Sequence, residues 1–435
     1  MKTNLLSWCG LLILLMIAPG LQAQTAKPNE FTLDARLKTR GELRVGGFSP
    51  DSLNRERYSH FFLGLYRITA TYKRSWLEVK LSPQYSGVWG QDNPSVSMYE
   101  AWAKMQSQQG FFVQLGRQEL SYDDGRILGT DDWTMAAPTH DMLRFGYEGK
   151  SHKIHLILEY NQTSDNISTG NTFYSSGLQP YKTMQTIWYH YDTPKKTFGV
   201  SLVGMNIGMQ SVDVQPATTL YQQLVGFYMK YQPRHFSAEG AFYYQMGVEE
   251  HNIPLDAFMG SVKLNVQPND KYSIFAGYDY LSGDSYFPAP AEGNFGLVLH
   301  DRIRGFNAIF GSHHKFYGAM DFFYMSDFVN GFTPGLQNLY IGSDINLSEA
   351  LNINVAYHYY AIATDLDYVN SKTLGNEVEL TATYAFSNAV SLSAGYTYMH
   401  GSETMVKLNK ISNKRQLHWA WLMVIVTPQL FHTVW

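Results

Sequence analysis

The chain has 435 residues and a formal net charge of −4; 16% of it is charged and 15% aromatic. A near-neutral balance with no basic excess argues against a nucleic-acid partner. The single cysteine, Cys9, excludes a disulfide framework.

The chain opens MKTNLLSWCGLLILLMIAPGLQAQ. Lys2 precedes a short apolar core, Leu11 to Ile17, and Leu21-Gln22-Ala23 closes the segment. This pattern reads as a secretory signal peptide over residues 1–23, cut after Ala23. Cys9 sits behind the bulky Trp8 and ahead of most of the apolar core, which argues against lipidation. The remaining residues, 24–435, contain no cysteine and no run of about 18 apolar residues that would make a transmembrane helix.

FTLDARLKTRGELRV follows, Phe31 to Val45. Phe31, Leu33, Ala35, Leu37, Leu43 and Val45 share one parity, while Asp34, Arg36, Lys38, Arg40, Glu42 and Arg44 share the other. A period of two is that of a β-strand. The pattern recurs around Ile154 to Tyr160, with Ile157 as an exception, then in Tyr272–Tyr280, Leu351–Tyr359, Val378–Phe386 and Val390–Tyr398. The last stretch, Gln416 to Val426, is apolar on both parities. Phe431 and Trp435 give a partial C-terminal aromatic signal, interrupted by Pro428. No helical periodicity and no linker breaks the series.

Connections alternate in length. Short turns such as QSQQG, GKSH, TPKK, QPRH, QPND and LSEA alternate with longer polar segments near 47–57, 88–96, 121–141, 161–180, 282–314 and 400–414. Short turns at one rim and long loops at the other mark an outer-membrane barrel. A secreted β-sandwich would also alternate, but its strands usually run about 5–6 residues. Many strands here run to about 9–11, enough to cross a bilayer when tilted. The expected fold is therefore all-β: a transmembrane antiparallel barrel of about 18 strands over residues 24–435, in a bacterial outer membrane.

In such a barrel the charged parity faces a wet lumen. Arg36, Lys38, Arg40, Arg44, Arg67, Lys80 and Arg144 fall there, as do Glu42, Glu100, Glu148, Glu159 and Asp279. Ten of 14 arginines precede residue 150. Guanidinium grips a carboxylate with two parallel bonds, so an arginine-rich sector favours a carboxylate-bearing solute.

The segment LGRQELSYDDGRILGTDDW, Leu115 to Trp133, resembles the bacterial alginate-export family of outer-membrane porins. Arg40-x-Glu42-x-Arg44, YDYLSGD (Tyr278 to Asp284) and FGSHHKFYGAMDFFYMSD (Phe310 to Asp327) fit it in the same order. The resemblance implies an 18-stranded monomeric barrel with an arginine-rich constriction, passing an anionic uronate polymer out of the periplasm. It points to Arg40, Glu42, Arg44, Arg117, Glu119 and Arg126 as pore residues, with Asp123 and Asp124 beside them. Parity alone sets Arg117 with the lipid-facing Val113 and Leu115. A bulge near Gly116 would turn it inward; otherwise it lies above the membrane at the base of a loop. That loop, SYDDGRILGTDDW, is charged enough either to fold into the mouth or to brace its neighbours. The mixed sign of the lumen favours anionic sugars or other small polar solutes over a dedicated polyanion.

Other signals carry less. Gly283-Asp284-Ser285 lacks the strand–turn–helix setting of a hydrolase serine and is expected in an exposed loop. His313-His314 has no paired carboxylate spacing and reads as a surface pair rather than a metal site. Asn161-x-Thr163 and Asn166-x-Ser168 are sequons by pattern only. The expectation is a passive channel with no catalytic residues, metal or cofactor, whose partners are outer-membrane lipid, an anionic oligo- or polysaccharide and periplasmic export or assembly factors. The competing readings are a general porin, a membrane-bound lipid hydrolase, and a non-conducting adhesin or scaffold plugged by loop 282–314.

Overall fold

A computed structural model describes residues 28–46, 58–92, 95–130, 133, 135, 137–161, 180–211, 218–249, 252–285, 302–323 and 333–435. The expected signal peptide, Arg55, Arg57 and the Asn166 sequon lie outside these residues.

The alternating stretches are strands, paired antiparallel in chain order. β1 (Glu30–Gly46) and β2 (Tyr58–Arg74) have 17 residues each. At about 3.3 Å per residue they outrun the hydrocarbon layer. Then come β3 (Leu77–Val88), β4 (Ser95–Gln106), β5 (Phe111–Gln118), β6 (His140–Glu148), β7 (His152–Tyr160), β8 (Thr183–Asp192) and β9 (Phe198–Gln210). The series continues with β10 (Thr219–Tyr231), β11 (Phe236–Val248), β12 (Pro254–Asn269), β13 (Tyr272–Leu281), β14 (Leu336–Asn346) and β15 (Leu351–Ala361). It ends with β16 (Thr373–Ser387), β17 (Val390–Gly401), β18 (Gln416–Val426) and β19 (Gln429–Val434).

β1 closes the sheet. Its second half pairs with β18 and its first half with β19. Proline has no N–H to give a ladder, yet the carbonyl of Pro428 still accepts from Ala35 N at 3.0 Å. The two C-terminal segments are thus one stave with a break, and the cylinder has eighteen staves, as the sequence indicates. Closure leaves no sheet edge whose backbone groups hydrocarbon would strand. Both chain ends meet at one rim, where Asn29 and Trp435 exchange backbone bonds at 2.8 and 3.0 Å. The short turns share that rim, which is the periplasmic one by the barrel rule.

The outer face follows the alternation. Leu37, Leu43, Ile154, Val378, Leu380 and Tyr396 are each 42–45% exposed, in position to meet lipid. The inner face departs from expectation. The β5–β6 loop (residues 119–139) and the β13–β14 loop (described over 302–323) both fold into the lumen and join there. Gly129 N donates to Phe310 O at 2.9 Å and Ser312 N to Gly125 O at 2.8 Å. Leu120, Leu128, Phe306 and Phe310 pack against inward-facing Ile157, Met184, Met205 and Met259, all buried. Ile157, the exception to the β7 pattern, is therefore a docking position for a loop. Leu417 and Trp419 do the same for β18, which explains its two apolar parities. The expected wet wall exists only where no loop covers it.

The Gly283-Asp284-Ser285 stretch is also corrected. Asp284 is buried and accepts from Arg304 N at 2.6 Å and Thr333 N at 3.2 Å. It pins the two ends of the β13–β14 loop together, because folding inward leaves backbone N–H groups that need acceptors away from bulk water.

Candidate functional site in the lumen

On β1, residues two apart share a face, so Lys38, Arg40 and Glu42 point inward and are buried. Glu42 lies between two guanidinium groups. Arg40 Nε donates to its Oε1 at 2.8 Å and Arg44 Nη2 to its Oε2 at 3.0 Å. Trp419 Nε1 adds a third donor at 3.0 Å. The carboxylate fixes both arginines. The Arg44 side chain keeps 35% of its surface exposed, whereas Arg40 keeps 5%.

Arg40 is covered by Trp133, from the β5–β6 loop. The guanidinium carbon lies 3.7 Å from the ring centroid, and Arg40 Nη1 donates to Trp133 O at 2.7 Å. Lys38 Nζ reaches the same carbonyl at 3.3 Å. Trp133 also stacks on His314 at 4.1 Å and 12°, and meets Trp421 edge-on at 4.9 Å. His314 Nδ1 lies 2.8 Å from Asp321. His314 is thus half-buried inside the barrel rather than on the surface, because the loop carrying it turns inward. Trp133 lay inside the family-like segment but carries no parity signal, since loop residues have no period. Among the described residues no group of histidines and acids is arranged to hold a metal ion.

The other expected site residues all have partners. Arg67 donates to Gln84 at 2.9 Å and lies 3.3 Å from the Tyr99 ring centroid, while Tyr99 donates to Glu119. Lys80 pairs with Glu100 at 2.5 Å. Arg144 donates to Gln114 at 2.5 Å and to Tyr122 at 3.3 Å. Asp123 accepts from Trp188 Nε1 at 3.2 Å and from Ser201.

Arg126 joins the two loops to the wall. It pairs with Asp124 at 3.2 Å and Asp279 at 3.1 Å, and donates to Tyr317 at 3.1 Å. Burial works against its charge, but Asp279, Tyr317 and Asp124 outweigh burial and hold it above its ordinary range. Burial pushes the Tyr317 hydroxyl up to about 12, with Arg126 pulling the other way. Arg126 is a clamp rather than an open anion receptor.

Arg117 does not enter the lumen. Gly116 takes a left-handed φ of 121°, but the pairing with β4 and β6 runs through it without a register shift. A bulge needs an extra residue, and none is inserted. Arg117 keeps the parity of Leu115 and pairs with Asp141 at 2.7 Å on the outer side of the extracellular end.

The sequence profile of the alginate export family matches residues 80–397, well over half of the chain. The chain belongs to the alginate export family. No curated protein matches it in sequence. Solved structures share its architecture at low identity. OccK9 (OpdG) of Pseudomonas aeruginosa superposes with a TM-score of 0.62 at 11% identity, covering 92% of this chain and 98% of that one. A BenF-like porin from Pseudomonas fluorescens Pf-5 gives 0.62 at 11%, with 92% and 99% covered. OccK11 (OpdR) of Pseudomonas aeruginosa gives 0.59 at 11%, with 92% and 96% covered. At such identity these neighbours speak for the fold alone. The family and the closed barrel together make this an outer-membrane, porin-like channel.

For this alginate-export family member the lumen is mixed in sign, with the arginines in one sector and Glu42, Glu100 and Glu148 among them. Lys38, Arg40, Arg44, Arg67, Lys80 and Arg144 come from β1–β3 and β6, whereas Asp279, Asp344, Glu377 and Glu379 come from β13, β14 and β16. Ala319 N donates to both Glu377 and Glu379, at 2.6 and 2.8 Å. On the periplasmic side of the loops two water-accessible cavities remain, of about 340 and 330 Å³.

Proposed function

We propose that this channel passes anionic sugars, including short uronate chains such as those of alginate, and that Arg40, Glu42 and Arg44 form an anion-selective contact in it. The observation that carries the reading is the Arg40–Glu42–Arg44 row, in which one carboxylate holds two guanidinium groups and leaves Arg44 a third exposed. A guanidinium held in place by Glu42 through Nε and Nη2 presents a fixed positive charge, which suits a carboxylate on a sugar ring. Lys80, Arg67 and Arg144 extend the basic side, and Glu119, Asp123, Asp124 and Arg126 set the loop that borders it. Reversal potentials in planar bilayers test the reading. The cation-to-anion permeability ratio is expected below one in the wild type and to rise in Arg40→Gln/Arg44→Gln. A wild-type ratio well above one retires it.

A second reading, a barrel closed by its own loops and serving as an adhesin or scaffold, is favoured by one observation: Leu128, Phe306 and Phe310 are all but fully buried against the wall. A wild type that never conducts decides for it.

A further inference from the structure

The smaller cavity lies away from the β1 arginines, against β7–β10 near the periplasmic turns. Register places its polar residues in two rows. Lys153 opposes His190, which opposes Ser201, which opposes Tyr228. Next to that row, Asp192 opposes Gly199 and Gly199 opposes Lys230. Lys196, from the turn between β8 and β9, completes the lining.

Three features give this cavity a chemistry. First, among the described residues the ammonium groups of Lys153 and Lys196 enter no hydrogen bond or ion pair, whereas Asp192 is engaged by His190 at 3.1 Å and Asp123 by Trp188 and Ser201. Lys230 is shared with Glu239 at 3.2 Å. Lys153 and Lys196 are therefore the cations of the lining without a partner among the described residues, set beside the carboxylates of Asp123 and Asp192. Second, Lys196 holds φ at 52°, a left-handed conformation that favours glycine or asparagine. That φ closes the β8–β9 turn, in which Lys196 N donates to Thr193 O at 2.7 Å, and it fixes the lysine at the rim of the cavity. Third, Gly199 has no backbone need to be glycine, but a Cβ on it would come 2.9 Å from Asp192 Oδ1 and 3.3 Å from His190 Cε1. Its missing side chain keeps the cavity clear. The volume of about 330 Å³ fits a sugar residue or two, and the Trp188 ring, stacked on His190 at 5.4 Å and 5°, gives it an aromatic border.

We infer that this cavity is a second, periplasm-facing subsite for a carboxylate-bearing sugar, with Lys153 and Lys196 as its charge contacts and Gly199 as the position that keeps it open. It deepens the anionic-sugar reading and rests on it. An anion rising from the periplasm meets these lysines before it reaches the loop and, beyond it, Arg44.

The test is equilibrium binding of glucuronate to the detergent-solubilised protein, read by saturation-transfer NMR with glucose as the neutral control. It is run in the Arg40→Gln/Arg44→Gln background, so that the β1 cluster does not contribute. Glucuronate is expected to bind and glucose not. Adding Lys153→Gln/Lys196→Gln is expected to weaken glucuronate binding about tenfold or more, because two charge-assisted contacts go. Gly199→Val, which changes no charge, is expected to weaken it in the same direction by filling the space. Heat-modifiable migration confirms that each variant still forms its barrel. No glucuronate binding in the Arg40→Gln/Arg44→Gln background, or binding unchanged by the lysine substitutions, overturns the inference. The broader reading fails by a different measurement, the permeability ratio, so the two failures remain distinct.

Discussion

The two halves of the lumen obey different rules. On the extracellular half of β7–β12 the apolar inward residues Ile157, Met184, Met205, Ile207, Leu224 and Met259 are buried, with Glu159, Thr186, Gln222 and Gln245 buried among them. On the periplasmic half of the same wall Lys153, His190, Asp192, Lys230 and Lys263 border open cavities. The strands are the same, and so is the outer face. The difference is the two inward loops, which replace water with side chains over one half only. An inner wall therefore records what it faces, and in this barrel it faces a packed core above and solvent below.

The hardest blow to that division is a charge in the core. Phe310→Asp places a carboxylate where Leu128, Tyr181 and His140 meet, at more than about 4 kcal/mol. The loops are expected to leave the lumen while the barrel persists. Single-channel conductance and protease sensitivity of the loop rise together. Unchanged values would mean that the upper half is not a packed core.

Next comes the clamp. Arg126→Met strands Asp279 and Asp124, and losing one side of a buried pair costs about 3–5 kcal/mol. Arg126→Met/Asp279→Asn is expected to recover part of that cost. Limited proteolysis of the loop in a double-mutant cycle measures it. Full additivity of the two changes would show that the pair is not coupled.

The outer face supplies the reference. Leu380→Arg, at mid-strand on the lipid side, is expected to cost about 2–4 kcal/mol in barrel stability. Thr381→Arg, its inward neighbour, should cost close to nothing. Urea unfolding in bilayers compares the two, and equal costs would erase the distinction between faces.

The smallest effect is at the seam between the two halves. Trp133→Ala removes a cation–π contact and a stacked ring, about 1–2 kcal/mol together. Arg40 should become more accessible, and the permeability ratio should fall further below one.

The barrel was legible because lipid imposes a strict rule on every second residue. Leu37, Leu43, Val378 and Leu380 declare the outer face by period alone, and the turn lengths declare the two rims. The Arg40–Glu42–Arg44 row was legible for the same reason, since it lies on a regular strand. Arg126 and Trp133 stood inside a recognisable segment, but their partners are 90 to 190 residues away. No local pattern announces Asp279 for Arg126, or Arg40 for Trp133. Where the pattern faltered, at Ile157 and along β18, the irregularity was itself the trace of loop contacts.

By itself, then, the sequence determined the closed cylinder, its orientation and which wall bears the arginines, because solvent and lipid act on each residue independently of its distant neighbours. Only the tertiary structure decided how the interior is filled. It turned two loops inward, paired Arg117 with Asp141 and left Lys153 and Lys196 at the periplasmic cavity. Those outcomes depend on contacts between segments far apart in the chain, which no single stretch encodes.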